Sequence, residues 1–192
     1  MYAIALFALS LLISAPSFAA ETYKLDLNHT NIYWQADHFG FSSPSGKFSK
    51  LEGTVVLDEE HPEKSKVDVN IDTSSIITGI EKFDAHLKSK DFFNAEQFPA
   101  AAFTSDKVEV TSKTTAKVSG QLRLLGITKP VVLDVILNKI GTSMAHPKKS
   151  AGFSASTVIK RSDWGMGFGV PGVSDEVKIS IEAEANLAEE TK

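Results

Sequence analysis

A strict alternation of apolar and polar side chains constrains this sequence more than any other feature. From His29 onward, Ile32, Trp34, Ala36 and His38 fall on one face of an extended segment, with Tyr33, Gln35 and Asp37 on the other, as successive side chains of a strand must. Val67, Val69 and Ile71 repeat the pattern against Asp68, Asn70 and Asp72, which predicts an apolar inside and a polar outside. Val55 and Leu57 alternate ahead of Asp58, and further strands are expected over 102–110, 116–125, 131–140, 152–159 and 177–187. Turn-forming residues at 42–46, 61–65, 112–114 and 145–149 separate many of them. About eight antiparallel strands with short connections fit a barrel or a sandwich.

One stretch does not alternate. Over 80–98, Phe83 and Leu87 stand four apart and aromatics recur at Phe92, Phe93 and Phe98, which predicts short helical turns rather than a strand. Ser89 or Asp91 suits the cap of a second turn, and Pro99 ends the element by removing a backbone donor. The expected role of this insertion is to cover one end of the sheet structure. No repeat or linker divides the chain, so residues 20–192 are expected to form one domain.

Residues 1–19 read as an address. They carry no charged side chain, Ile4 to Ile13 form a nearly unbroken apolar run, and Ser17-Phe18-Ala19 has small residues where a signal peptidase needs them. The run is shorter than the roughly 20 residues of a membrane span. A signal peptide cleaved near Ala19, export, and no stable membrane insertion are therefore expected, although the usual basic start is missing. The absence of cysteine removes disulfides, thiolate nucleophiles and Cys-ligated metals. Twenty basic against 24 acidic side chains, a net charge of −4, argue against a nucleic-acid binder, which needs a basic footprint.

Catalytic motifs are wanting: there is no Gly-x-Ser-x-Gly elbow, no His-Glu-x-x-His pair and no phosphate-binding loop. Gly167, Gly169 and Gly172 match the bare dinucleotide spacing, but Pro171 and the alternating segment that follows exclude the strand-to-helix turn this motif requires. A glycine-rich loop at a barrel rim, carrying Trp164, Met166 and Phe168, is the better reading. His61 and His146 precede prolines in polar turns and read as solvated, and His29 as the partner of a local hydrogen bond. His38 shares an apolar face, so it is either a satisfied core histidine or a ligand contact. His86 is either a helix-stabilising partner or a contact for a polar head group. A zinc site from His29, His38 and His86 has no support in their spacing, and no metal is expected. The inward residues, among them Phe48, Phe103, Leu122, Leu133 and Phe153, either fill a core or line a ligand cavity, because an eight-stranded barrel is close to the size that permits both.

The order of several motifs resembles that of the YceI family of exported, lipocalin-like polyisoprenoid-binding proteins. These are Tyr23-Lys24-Leu25-Asp26 with His29-Thr30, Gly46-Lys47-Phe48, Leu51-Glu52-Gly53, the block from Asp84 to Phe93, Phe98-Pro99, Phe103-Thr104-Ser105, Gly120-Gln121-Leu122, Leu125 to Val131 and Arg161 to Gly165. Phe83 and Arg123 depart from the family pattern. The resemblance implies a lipocalin-like antiparallel eight-stranded β-barrel with a short helical insertion near 80–98, in the periplasm. Its lumen would hold a polyisoprenoid or similar long-chain lipid, such as a quinone or prenyl phosphate, as ligand, with no other cofactor, no catalytic residues and a homodimer as the expected assembly. Strand parity then nominates Ile32, Trp34, Ala36, Phe48, Phe103, Leu122 and Trp164 for the tail, and His38, His86 and Arg161 are assigned to the head, with a structural ion pair from Arg161 to Asp163 or Asp84 as the alternative use of that residue. A lipid-modifying enzyme working through His38 and His86, or a solid-cored stress or interaction protein, are the competing readings.

Overall fold

The computed structural model describes residues 20–142 and 147–189. The leader at 1–19 and His146 lie outside the described residues. The elements are β1 (Glu21–Leu25), β2 (Asn31–His38), β3 (Ser45–Phe48), β4 (Leu51–Leu57), β5 (Lys66–Asp72), β6 (Ile76–Ile77), α1 (Glu81–Lys88), β7 (Ala100–Val110), β8 (Thr115–Leu124), β9 (Ile127–Thr142), β10 (Lys149–Lys160) and β11 (Val173–Leu187). No helix among the described residues is long and apolar enough to cross a membrane.

All strand pairs are antiparallel, and β1-β4-β5-β7-β8-β9-β10-β11 closes on itself through β1 and β11. The expected eight-stranded barrel is therefore present. Closure is made at β1, where Tyr23 pairs with Val55 of β4 on one side and Leu187 of β11 on the other. β2 continues the same position of the ring farther along β11, from Asn31↔Glu182 to His38↔Val173. β3 pairs with β2 and β6 with β3, so three of the eight positions are strands broken in two.

The breaks are held by hydroxyl groups. Ser75 Oγ donates to the Asp72 carbonyl at 2.6 Å and accepts from the Lys50 amide at 3.0 Å. Ser49 Oγ donates to the Ser75 carbonyl at 3.0 Å, and Thr73 Oγ donates to the Phe98 carbonyl at 2.7 Å. Thr73 and Ser75 are buried, so these bonds supply the partners that the interrupted ladders no longer offer. Period-two reading cannot see such corners, and it placed residues 42–46 wholly in a turn. Ser45 and Gly46 instead begin β3. Similarly, Leu125 is a turn residue rather than the end of a strand: it and Gly126 have φ of 51° and 75° and form the two-residue connection between β8 and β9.

Inward glycines keep the barrel hollow. A Cβ on Gly46 would lie 2.9 Å from the Trp34 indole, and one on Gly120 would lie 2.5 Å from the Phe103 ring. Each large side chain thus lies back across a bare strand instead of standing up into the lumen. Among the described residues α1 is the one α-helix, and with the turns after it closes one end of the barrel through Phe83, Leu87, Phe92 and Phe93.

Tyr23 anchors the opposite end. Its ring is fully buried with Leu57, Ala151 and Ala185, and its hydroxyl donates to Glu21 Oε2 at 2.7 Å. The Glu21 carboxylate also meets Lys149, which bridges to Glu59. Burial, followed by the hydrogen bond to Glu21, pushes the Tyr23 hydroxyl up from 10.0 to about 12. The folded protein therefore keeps a proton that the unfolded chain releases near pH 10. This contribution is complete below about pH 10 and is lost as pH rises towards 12. In urea unfolding, wild type is expected to lose about 2–3 kcal/mol relative to Tyr23→Phe across that window, and parallel pH profiles would contradict the assignment.

Candidate functional site

The lumen holds two apolar chambers. The first, about 420 Å³, is lined by inward residues of every strand of the closed ring, among them Leu25, Val55, Val69, Phe103, Val118, Leu133, Phe153 and Ile181. Its charged lining lies at one end, with Asp58, Glu59, Lys66 and Lys113 beside Ser65 and the 112–115 turn, while Thr30 and Thr157 line it elsewhere. The second, about 500 Å³, lies beneath α1 and is lined by Ile32, Trp34, Ala36, Phe48, Leu124, Ile159, Val177 and the aromatic cover. Its polar or titratable groups are His38, His86 and Arg161.

Strand parity puts six of the expected tail residues on these walls. Ile32 and Leu122 face both chambers, Trp34, Ala36 and Phe48 the second, and Phe103 the first. Trp164 is different. It lines neither chamber: it is buried among core residues, and its indole Nε1 donates to the Leu122 carbonyl at 3.1 Å. A short 3-10 turn at Arg161–Trp164 follows β10, so strand parity does not apply to this residue. Trp34, by contrast, has a buried indole Nε1 with no protein partner.

Arg161 reaches the chamber wall but is committed to the backbone. Its Nε donates to the Ser174 carbonyl at 2.9 Å, one terminal nitrogen to Met166 at 2.7 Å and the other to Val173 at 3.0 Å. Neither Asp163 nor Asp84 is its partner in these bonds. Asp84 instead accepts from the Thr78 amide and hydroxyl, both at 2.6 Å. The guanidinium ties the glycine-rich loop to the start of β11 and lies 5.9 Å from the Phe92 ring centroid. Burial lowers its proton affinity, while Asp175 opposes that shift. The Asp175 carboxylate accepts from the amide and hydroxyl of Ser162, which keep it ionised to lower pH than an ordinary aspartate.

His38 and His86 stand at the exposed margin of the second chamber. His86 Nε2 is 2.9 Å from Asp91 Oδ2, and its ring meets Phe92 and Phe168 edge-on at 5.1 and 5.3 Å. His38 stacks edge-on with Phe39 at 4.8 Å. His29 is remote in function: it lines neither chamber and bonds Asp26 at 2.9 Å, the local contact expected of it. Asp26, His29 and Glu184 bring their ligand atoms within 4.8 Å of one another, a group that excludes both His38 and His86.

Ile71, expected on the inward face of β5, lies on the walls, and parity applied to β11 adds Val177 and Ile179. The contributions of Phe83, Phe93 and Phe168 had only the aromatic spacing of 80–98 and the glycine-rich loop as signals. Phe83 lies 6.2 Å from Trp34, edge to face, so one departure from the family pattern forms part of the cover, whereas Arg123 is exposed.

A family model described as the YceI-like domain matches residues 23–185. Protein YceI of Escherichia coli O157:H7 is 36% identical over 177 residues, which span 91% of this chain and 92% of that protein. The crystal structure of the Campylobacter jejuni YceI protein superposes with a TM-score of 0.73 at 27% identity, covering 97% of this chain and all of that one (100%). A polyisoprenoid-binding domain from Saccharophagus degradans, implicated in plant cell wall breakdown, shares the fold with a TM-score of 0.63 and 15% identity over 86% of this chain and 98% of its own.

Replacing Arg161 with Met would leave the carbonyls of Met166, Val173 and Ser174 without their charged donor. The expected cost is at least about 2 kcal/mol in urea unfolding, since an orphaned buried group costs about 1–3 kcal/mol. Arg161→Lys should recover only part of this, because an ammonium cannot span three acceptors in one plane. Full stability in Arg161→Met would show that the loop is held by other contacts.

Proposed function

Since this chain belongs to the YceI-like domain family, we propose that it is a periplasmic binding or carrier protein for a polyisoprenoid or similar long-chain lipid. The carrying observation is the lumen itself: two chambers of about 420 and 500 Å³ whose walls are aliphatic and aromatic, with charged side chains confined to their outer ends. Burial of each methylene is worth about 0.8 kcal/mol, so a long tail that is almost insoluble when free is strongly favoured inside such walls. The fold shared with a polyisoprenoid-binding domain supports the choice of lipid class.

The head group, a quinone ring or a prenyl phosphate, is placed at the end beneath α1. His38 and His86 are exposed there, and the Arg161 charge lies just behind the wall. Because its three donor nitrogens already hold carbonyls, Arg161 contributes field more than direct contact. Holding, not chemical conversion, is the proposed activity: general acid–base work needs a positioned proton donor at the reacting bond, and the lining between the two ends offers no titratable side chain. The apolar leader at 1–19 supports export, and a homodimer is the proposed assembly.

Protein purified from the periplasm of its natural host is expected to show a lipid adduct in native mass spectrometry, and organic extraction should release a quinone or prenyl lipid. An adduct-free protein that also fails to take up added ubiquinone or undecaprenyl phosphate would overturn the reading.

A further inference from the structure

Four side chains face both chambers: Ile32, Ile71, Leu122 and Ile179. They come from β2, β5, β8 and β11, so they are distributed around the ring rather than clustered on one wall. All are aliphatic, and none has a polar atom that could bind a head group. Two are held by identifiable neighbours. Ile71 immediately precedes the corner fixed by Asp72, Thr73 and Ser75, and the carbonyl of Leu122 accepts the indole N–H of Trp164.

We propose that these four residues form a waist that sets the tail specificity of the barrel. The waist lets one slender, flexible chain pass from the chamber beneath α1 into the chamber that ends at the 112–115 turn, and it stops tails of wide cross-section. A short tail occupies a single chamber, whereas a long one threads the waist and occupies both. Each methylene carried past the waist tightens binding by up to about fourfold, which makes affinity rise with chain length until the first chamber is full. Trp164 acts here as a positioning residue, outside the lumen but bonded to the backbone of Leu122.

The inference rests on the lipid-binding reading, and the test separates the two. Phosphatidylcholine vesicles loaded with either farnesol or solanesol are incubated with the full mature protein, and the prenol transferred to protein is measured after gel filtration. Referred to free prenol in water through each prenol's bilayer-to-water partition coefficient, wild-type affinity is expected to favour solanesol by at least about a hundredfold. In Ile179→Trp, solanesol capture should fall at least about tenfold more than farnesol capture does. A folded Ile179→Trp protein that retains wild-type solanesol capture overturns the waist but leaves lipid binding intact. Wild type that takes up neither prenol overturns both. Should the tryptophan variant not fold, wild type still decides: equal affinity for farnesol and solanesol means that nothing is gained beyond one chamber and ends the proposal.

Discussion

Ring closure at β1 is the constraint on which the rest of this structure depends. Tyr23 is hydrogen-bonded through its strand to β4 and β11 at once, and without that short strand the sheet would have two open edges. Closure satisfies the backbone laterally, so the ladder holds the wall in place without requiring a filled interior. The buried Tyr23 cluster and the Glu21–Lys149–Glu59 ion pairs concentrate packing where the ring is sealed. A hollow middle is then compatible with a stable barrel, because the parts that must be dense lie at its ends.

The second dense region surrounds the glycine-rich loop. Met166 and Trp164 are buried there, and Arg161 spends a buried charge on three main-chain oxygens. A buried guanidinium is costly unless its donors are met. Here they are met by a loop that has no ladder of its own, so the same bonds that satisfy the charge also shape the loop. Phe168 at the tip of that loop contacts His86 and Phe92, at 5.3 and 5.6 Å between ring centroids, and so couples it to the cover.

The sequence was legible wherever a side chain's direction follows from its place in a continuous strand. Ile32, Trp34, Ala36 and His38 line the lumen together because β2 alternates without an extra residue, the register shift opposite Ala36 and His38 being taken up in β11 between Val173 and Val177. The alternation failed at interruptions. Gly46 looked like turn material yet pairs with Trp34 in the sheet, because a glycine is what the indole needs beneath it. Trp164 looked like a wall residue but sits in a 3-10 turn, and Arg161 looked like an anion site but faces carbonyls supplied by residues up to 13 positions away. These differences share one cause: the partner that decides each residue's contacts is distant in sequence or belongs to the main chain, which carries no compositional signal.

Composition could not distinguish a filled barrel from a hollow one, since the same inward residues serve either purpose. The distinction lies in where bulk is absent. Gly46 and Gly120 let Trp34 and Phe103 lie against the wall, and Ala36 and Ala101 add small residues to the same lining. A barrel selected for stability alone would gain by filling this space, because close packing contributes dispersion contacts that an empty lumen lacks. The bare positions lie on the walls of the lumen, whereas the ends of the barrel are densely packed. That segregation leaves stability to the ends of the barrel and open apolar volume to its middle.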